Sequence, residues 1–246
     1  MEAKYIDHMG DDIRVVNAAR VSFDKESDWE YYDDDGASII GAQYWEEYKQ
    51  KELSAQDIKL IRYLAKHNHW TPFSHVQITM REKVPIFVAR QRFKHMVGFT
   101  YNEVSRRYVD DTPVFYTPDI WRSRPRGSVK QGSGDNVVEF LFDENLKEPI
   151  PHYAIKDCYE DFITTAENFY NLLIKNDVAP EQARMVLPQS MYTEYYVTGS
   201  LAAWARAYKL RIDSHAQKEI QELAKMWDEN ISGIQELKHS WEALKS

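Results

Sequence analysis

The sequence predicts an α+β fold, with a mixed or antiparallel sheet flanked by helices and a long C-terminal helix. Three patterns carry this expectation. Val76, Ile78, Met80, Glu82 and Val84 alternate strictly with Gln77, Thr79, Arg81 and Lys83, the period-two signature of a half-buried strand. Ile58, Ile61, Leu64 and Ala65 recur at helical spacing, as do Ile155, Tyr159, Phe162, Ala166, Phe169 and Leu173. Near the C-terminus, Ile220, Ala224, Trp227, Ile231, Ile234 and Trp241 form a continuous apolar stripe that serves either the core or a subunit contact. With 246 residues and 43% hydrophobic content, the chain is long enough to bury a substantial core and is read as one domain, 1–246, with an elaborated loop near 110–151.

Taken in order, Tyr5–His8 reads as a short strand. Asp11 or Asp12 then caps a helix through Ile13, Val16 and Ala19 that ends near Ser22 and Phe23. Asp24 to Gln43 is acidic and aromatic, contains Asp33-Asp34-Asp35-Gly36 and reads as a loop. Ser54 followed by Asp57 is a near capping box that opens the next helix, which runs to His67. Pro85 suits the first turn of a helix whose apolar side is Ile86, Phe87, Ala89, Phe93, Met96 and Val97, and Gly98 then turns the chain toward Asn102–Tyr108. Arg122 to Gly134 is basic, Gly/Ser-rich and aperiodic: a solvated loop, or a cover over a phosphate-bearing ligand. A helix follows from His152 to Asn176, and prolines bracket a short one at Pro180–Pro188. Met191–Val197 is a strand, Ser200 caps a helix through Tyr208, and Asp213 begins the last helix.

Composition narrows the function classes. No run approaches the roughly 20 apolar residues that span a bilayer, and Met1–Gly10 lacks a signal pattern, so a soluble, unexported, cytoplasmic protein is expected. A single cysteine, Cys158, excludes an internal disulfide and a Cys-rich metal site. A formal net charge of -8 argues against broad nucleic-acid binding and leaves small anions open. Against that acidic background, Arg90–Tyr108 holds five Lys or Arg and one His with a single acid, Glu103. Guanidinium forks match phosphate oxygens in pairs, and Gln91, Asn102 and Ser105 add neutral donors. The plain alternative is a solvated amphipathic helix. Polar residues set beside Phe99, Tyr101 and Tyr108 favour a pocket.

His67, His69 and His75 flank Trp70-Thr71-Pro72-Phe73, but Pro72 interrupts them and no i, i+4 pair is present. No metal site is expected; a turn carrying His69 and Thr71 to a pocket edge fits better. A rival reading of the basic stretch is a binding module without catalysis, holding nucleotides or single-stranded nucleic acid by stacking and phosphate contact.

Separated segments together resemble the flavin-dependent thymidylate synthases. They are Ala19-Arg-Val-Ser-Phe23, His69-Trp-Thr-Pro-Phe-Ser-His75 leading into Pro85–Gln91, Asn102-Glu-Val-Ser-Arg-Arg-Tyr108, Arg184-Met-Val-Leu-Pro188, and Leu210-Arg-Ile-Asp-Ser-His-Ala-Gln217. The family's Arg-His-Arg signature corresponds to a divergent Lys94-His95-Met96, with one residue more before Ser105 and one charge fewer at Met96. The resemblance implies the family fold and methylation of dUMP to dTMP. Methylenetetrahydrofolate would give the carbon, FAD the hydride and NADPH the reducing equivalents, in a homotetramer with shared sites and with neither nucleic acid nor membrane as partner.

By the same resemblance Gln91, Arg92, Lys94, Glu103, Ser105, Arg106, Arg107, Arg184 and Arg211 bind dUMP. Thr71, Lys94, His95, Met96, Glu103, Ser200, Ala202 and Arg206 border FAD. Chemistry agrees with these roles: Arg107, Arg184 and the Ser105 hydroxyl suit a phosphate clamp. A fixed guanidinium at the imide edge favours the ionised uracil, which makes Arg211 the catalytic candidate. Cys158 borders an apolar stripe with no basic neighbour to activate it, so hydride delivery without an enzyme thiolate is expected.

Overall fold

A computed structural model describes residues 1–32, 38–39, 50–105, 112–126, 132–141 and 154–246. Strand β1 (Glu2–Met9) leads into helix α1 (Asp12–Arg20), capped by Asp11, whose side chain accepts from the Arg14 N–H at 2.9 Å. Two short strands follow, β2 (Glu30–Tyr32) and β3 (Ser38–Ile39), and with β4 (Gln50–Glu52) they make a small antiparallel sheet ordered β3-β2-β4. The segment expected to be a loop thus carries strands, because Glu30, Tyr31 and Tyr32 find a ladder partner in Gln50–Glu52, beyond its own end. The Asp33-Asp34-Asp35-Gly36 run, expected as part of that loop, lies outside the described residues. Helix α2 (Ala55–Lys66) starts as its near capping box requires, the Ser54 hydroxyl accepting from the Asp57 N–H at 3.1 Å.

Next come β5 (Gln77–Pro85), α3 (Ile86–Arg92), β6 (Phe99–Glu103), α4 (Ile155–Lys175), α5 (Pro180–Ala183) and β7 (Tyr192–Ser200). The chain closes with α6 (Leu201–Ile212), α7 (Lys218–Ser232) and α8 (Lys238–Lys245). The main sheet is antiparallel in the order β1-β5-β7-β6. Alternation along β5 is as expected: Ile78, Met80, Glu82 and Val84 are buried, and the intervening residues are not. Their buried face meets Trp204 of α6, whose indole N–H donates to the Ile78 carbonyl at 3.2 Å, and behind it Trp227 of α7, all three fully buried.

Three expectations change. The helix after Pro85 stops at Arg92, not Val97, and the chain returns as β6. The Tyr101 hydroxyl explains the stop: it donates to the His95 carbonyl at 2.7 Å and lies 3.3 Å from the Arg92 carbonyl, occupying acceptors that a continuing helix would have bonded. Gly98 makes the turn at φ +81, where a Cβ would also stand 2.9 Å from the Ala203 Cβ. In α4 the inward positions include Ala166 and Tyr170, whereas Phe162 and Phe169 are 55% and 49% exposed, so the helix is rotated from the expected stripe.

The C-terminal stripe is all core, but it belongs to two helices. Asp213 ends α6 instead of opening a helix, and the run breaks at Gly233. Buried Asp12 of α1 accepts the His239 and Ser240 N–H groups at 2.9 and 3.0 Å, satisfying the first turn of α8 and folding it back onto α2. Among the described residues no helix is long and apolar enough to cross a membrane.

Candidate active site

Two hollows open on the ladder formed by β5, β7 and β6, one at each end. A cavity of about 700 Å³ is lined by Lys83 of β5, Glu103 of β6, Thr193 and Glu194 of β7, and by Ser105 and Arg184 from the segments that follow β6 and α5. Residues far apart in sequence meet there because Glu103 is in register with Tyr195, and Lys83 with Glu194. The Thr193 hydroxyl donates to Glu103 Oε1 at 2.6 Å, and Glu194 is paired with Arg81. Arg81 meets the charge of Glu194, and the exposed Arg184 and Lys83 are the cations here that can take an anion, with Glu103 beside them.

A second hollow of about 560 Å³ lies at the other end, where Gln77, Thr198 and Ser200 meet Trp70, Ser74, Val97, Gly98, Ala202 and Arg206. Ser200 caps α6 through the Ala203 N–H at 3.2 Å, which sets Ala202 and Arg206 on the rim one helical turn apart. Arg206 Nη2 donates to the Val97 carbonyl at 2.5 Å and so ties α6 to the turn after α3. Hydroxyls, an amide, a guanidinium and an indole around a small-residue floor suit a planar heteroaromatic group carrying phosphates. At the strand rise of about 3.4 Å per residue, the Thr193 and Ser200 ends of β7 are about 24 Å apart.

A third cluster joins α3 to α6. Arg211 donates from Nε to His95 Nε2 at 2.8 Å and from Nη2 to the Gln91 carbonyl at 3.2 Å. Accepting at Nε2 places the His95 proton on Nδ1. Burial first, then the Arg211, Arg92 and Arg206 cations, lower the His95 pKa to about 4, so the ring is neutral near pH 7. Burial and Arg92 likewise lower the Arg211 pKa from its ordinary value, leaving a partly desolvated cation that gains from an anion brought beside it.

The structure therefore sorts the expected residues. Glu103, Ser105 and Arg184 converge at one hollow, Ser200, Ala202 and Arg206 at the other, and Gln91, His95 and Arg211 in the cluster. Lys94, Met96 and Thr71 are exposed and line neither hollow; Trp70 and Ser74, not His69 and Thr71, reach the rim of the second. Arg106 and Arg107 lie outside the described residues. Arg92 corrects the expectation of a ligand contact. It is fully buried, ion-paired to Glu82 at 3.3 Å, bonded to the Tyr101 hydroxyl at 2.6 Å, and boxed by Phe99, Trp204 and Trp227. A charged Glu82 on the apolar face of β5 was the signal for a buried cation. Among the described residues no group of three or more His, Cys, Asp or Glu is placed to hold a metal ion.

The family described as thymidylate synthase complementing protein matches residues 4–234. A flavin-dependent thymidylate synthase from Thermosipho africanus is 36% identical over 244 residues, covering 97% of this chain and 87% of the relative. One from Thermotoga neapolitana is 34% identical, covering 89% and 80% respectively. In fold the chain resembles the UMP/dUMP methylase PolB from Streptomyces cacaoi bound with 5-Br dUMP, with TM-score 0.70 at 24% identity over 98% of this chain and 93% of that one. With a match over nearly its whole length, this chain belongs to the thymidylate synthase complementing protein family, that of the flavin-dependent thymidylate synthases.

Proposed function

We propose that the protein methylates dUMP to dTMP in the cytoplasm, taking carbon from methylenetetrahydrofolate and using FAD re-reduced by NADPH. The observation that carries the proposal is the convergence of Glu103, Ser105 and Arg184 from distant segments on one cavity that also exposes Lys83. There Arg184 and the Ser105 hydroxyl would hold a nucleoside monophosphate through charge-assisted hydrogen bonds; Arg107, expected to join them, lies outside the described residues. Arg211 sets its guanidinium at the imide edge of the uracil, stabilising negative charge on the ring and raising the nucleophilicity of its C5.

The second hollow fits a flavin by its donor set: Ser200, Ala202 and Arg206, with Gln77, Thr198 and Trp70, would hold it. When bound, that group supplies the hydride. Neutral His95 keeps Arg211 aimed without adding a competing cation. Cys158 sits part-buried in α4 and lines neither hollow, which supports a route without a cysteine nucleophile.

The substrate and flavin residues of one copy lie about 24 Å apart along β7, too far for direct transfer. We propose that the active site is completed in a homotetramer, the phosphate end of one copy facing the Gln91–Arg211 cluster and flavin hollow of another. An absorbance spectrum of the FAD-loaded protein with and without dUMP tests the reading. A flavin band that shifts saturably with dUMP is expected; a spectrum indifferent to dUMP, with no dTMP formed, would refute it.

A further inference from the structure

The orientation of Gln91 follows from a carboxylate that reaches it through one intervening side chain, Gln217. Glu219, in the first turn of α7, is 4% exposed at its side chain and takes Arg122 Nη2 on Oε1 at 2.5 Å and Gln217 Nε2 on Oε2 at 2.8 Å. Burial alone would raise its pKa. The Arg122 guanidinium, its own backbone N–H and the Gln217 amide outweigh that and hold it below the ordinary value, so it is a carboxylate near neutral pH. A carboxylate accepts hydrogen bonds and cannot donate them. Gln217 must therefore turn its NH2 toward Glu219, and its Oε1 is left facing Gln91.

Gln91 answers with Nε2, at 2.6 Å from Gln217 Oε1. The polarity is passed on once more: Gln91 Oε1 is left as an acceptor, and it takes no hydrogen bond among the described residues. Arg211, made only of donors, is bonded to the backbone carbonyl of the same residue. Arg122 belongs to the excursion between β6 and α4, where its Nε also donates to Ser133 Oγ at 2.9 Å, so that excursion anchors the far end of the chain of bonds.

We infer that Glu219, Gln217 and Arg122 are positioning residues that lock Gln91 with its acceptor outward, making Gln91 Oε1 and Arg211 a reader for the imide of a uracil-type ring. The neutral uracil that binds offers a donor at N3 beside carbonyl acceptors and matches an acceptor set next to a guanidinium, which then stabilises the negative charge that develops on a ring carbonyl oxygen as C5 reacts. Cytosine presents an acceptor at N3 and meets Gln91 Oε1 with lone pair against lone pair, an unpaired contact that a binding site strongly disfavours. Without the lock, the Gln91 amide rotates by half a turn at little cost and offers NH2 to cytosine as readily as oxygen to uracil. This inference deepens the dUMP reading and rests on it.

The test compares dUMP and dCMP on the FAD-loaded protein by equilibrium dialysis, with dUMP turnover measured alongside. Gln217→Ala, which removes no charge, is expected to weaken dUMP binding about tenfold, the worth of one well-made hydrogen bond, and to lower the dCMP-to-dUMP ratio of Kd by at least that factor. Its KM for dUMP rises while kcat falls less. Glu219→Gln, free to donate or accept, shifts the ratio in the same direction, whereas Glu219→Asp, still acceptor-only, keeps it closer to the parent. A purely structural role would lower the melting temperature and leave the ratio alone. A folded Gln217→Ala protein with an unchanged ratio overturns the inference; should that variant not fold, an unchanged ratio in Glu219→Gln does so. If the unaltered protein takes no dUMP, the functional reading fails and this inference with it; if it takes dUMP and the ratio stays put, only this inference fails.

Discussion

Glu82→Leu is expected to be among the most destabilising single changes in the sheet. Glu82 and Arg92 both have fully buried side chains; the carboxylate accepts Arg92 Nε at 3.3 Å on each oxygen and the Tyr195 hydroxyl at 2.5 Å. Arg92 Nη2 already lacks a partner among the described residues, so nothing nearby can take over from the lost acid. Leaving one buried charge unpaired costs about 3–5 kcal/mol, and the stranded Tyr195 hydroxyl adds about 1 kcal/mol. Guanidinium stacking on Phe99 at 4.3 Å and on Trp204 and Trp227 at 4.7 Å is present in parent and variant alike, and so does not offset the loss. The net loss of about 4–6 kcal/mol is a large share of the roughly 5–15 kcal/mol that holds an ordinary domain together. Replacing both members, Glu82→Leu with Arg92→Met, removes the uncompensated charge and should recover most of the loss. Urea unfolding of the parent, the singles and the double measures this directly. A Glu82→Leu loss under about 1 kcal/mol, or a double variant as weak as the two singles summed, would refute the argument. The recovered double is still expected to hold flavin less tightly, because Tyr101 loses the Arg92 donor that fixes the hydroxyl pinning the His95 carbonyl.

Further outcomes follow from the cluster and the cysteine. The folded-state pKa of His95, about 4, lies below its ordinary 6.5, so the unfolded chain takes up a proton that the folded one refuses. Its contribution to stability is complete above about pH 6.5 and is lost as pH falls from there toward 4; His95→Gln should flatten the urea midpoint across that window, and an unchanged slope would contradict the assignment. Arg211→Ala is expected to abolish methyl transfer while the far-ultraviolet circular dichroism is preserved; near-normal dTMP formation would remove Arg211 from the chemistry. Cys158→Ala should keep turnover within about twofold of the parent, as expected for a group distant from the reacting atoms. A folded but dead variant would restore a thiolate route.

Much of the framework was legible because local chemistry and tertiary role coincide. The caps at Asp11, Ser54 and Ser200 and the alternation of β5 are decided within a few residues of chain. What failed was decided at long range. The end of α3 depends on a tyrosine arriving from the next strand, and the break before α8 on a carboxylate from α1. The strands near Glu30 exist only because Gln50–Glu52 pairs with them.

At the candidate site, the motif residues were legible as types but not as groupings. Lys94-His95-Met96 reads as one unit in sequence, yet the turn after Arg92 sends His95 inward to Arg211 and leaves Lys94 and Met96 exposed. Arg122, Gln217 and Glu219 carried no signal of a joint role: their bond chain spans segments about a hundred residues apart, and no periodicity encodes it.

Mixing two inactive variants tests most directly whether the substrate seat is assembled between copies. Arg184→Ala and Arg211→Ala proteins, each without activity alone, are unfolded together, refolded and assayed for dTMP. If Arg184 and Arg211 reach one nucleotide from different copies, random assembly leaves about a quarter of the sites with both arginines intact, and about a quarter of the parent activity returns. If both come from the same copy every site lacks one of them, and a mixture as silent as its components would contradict the account.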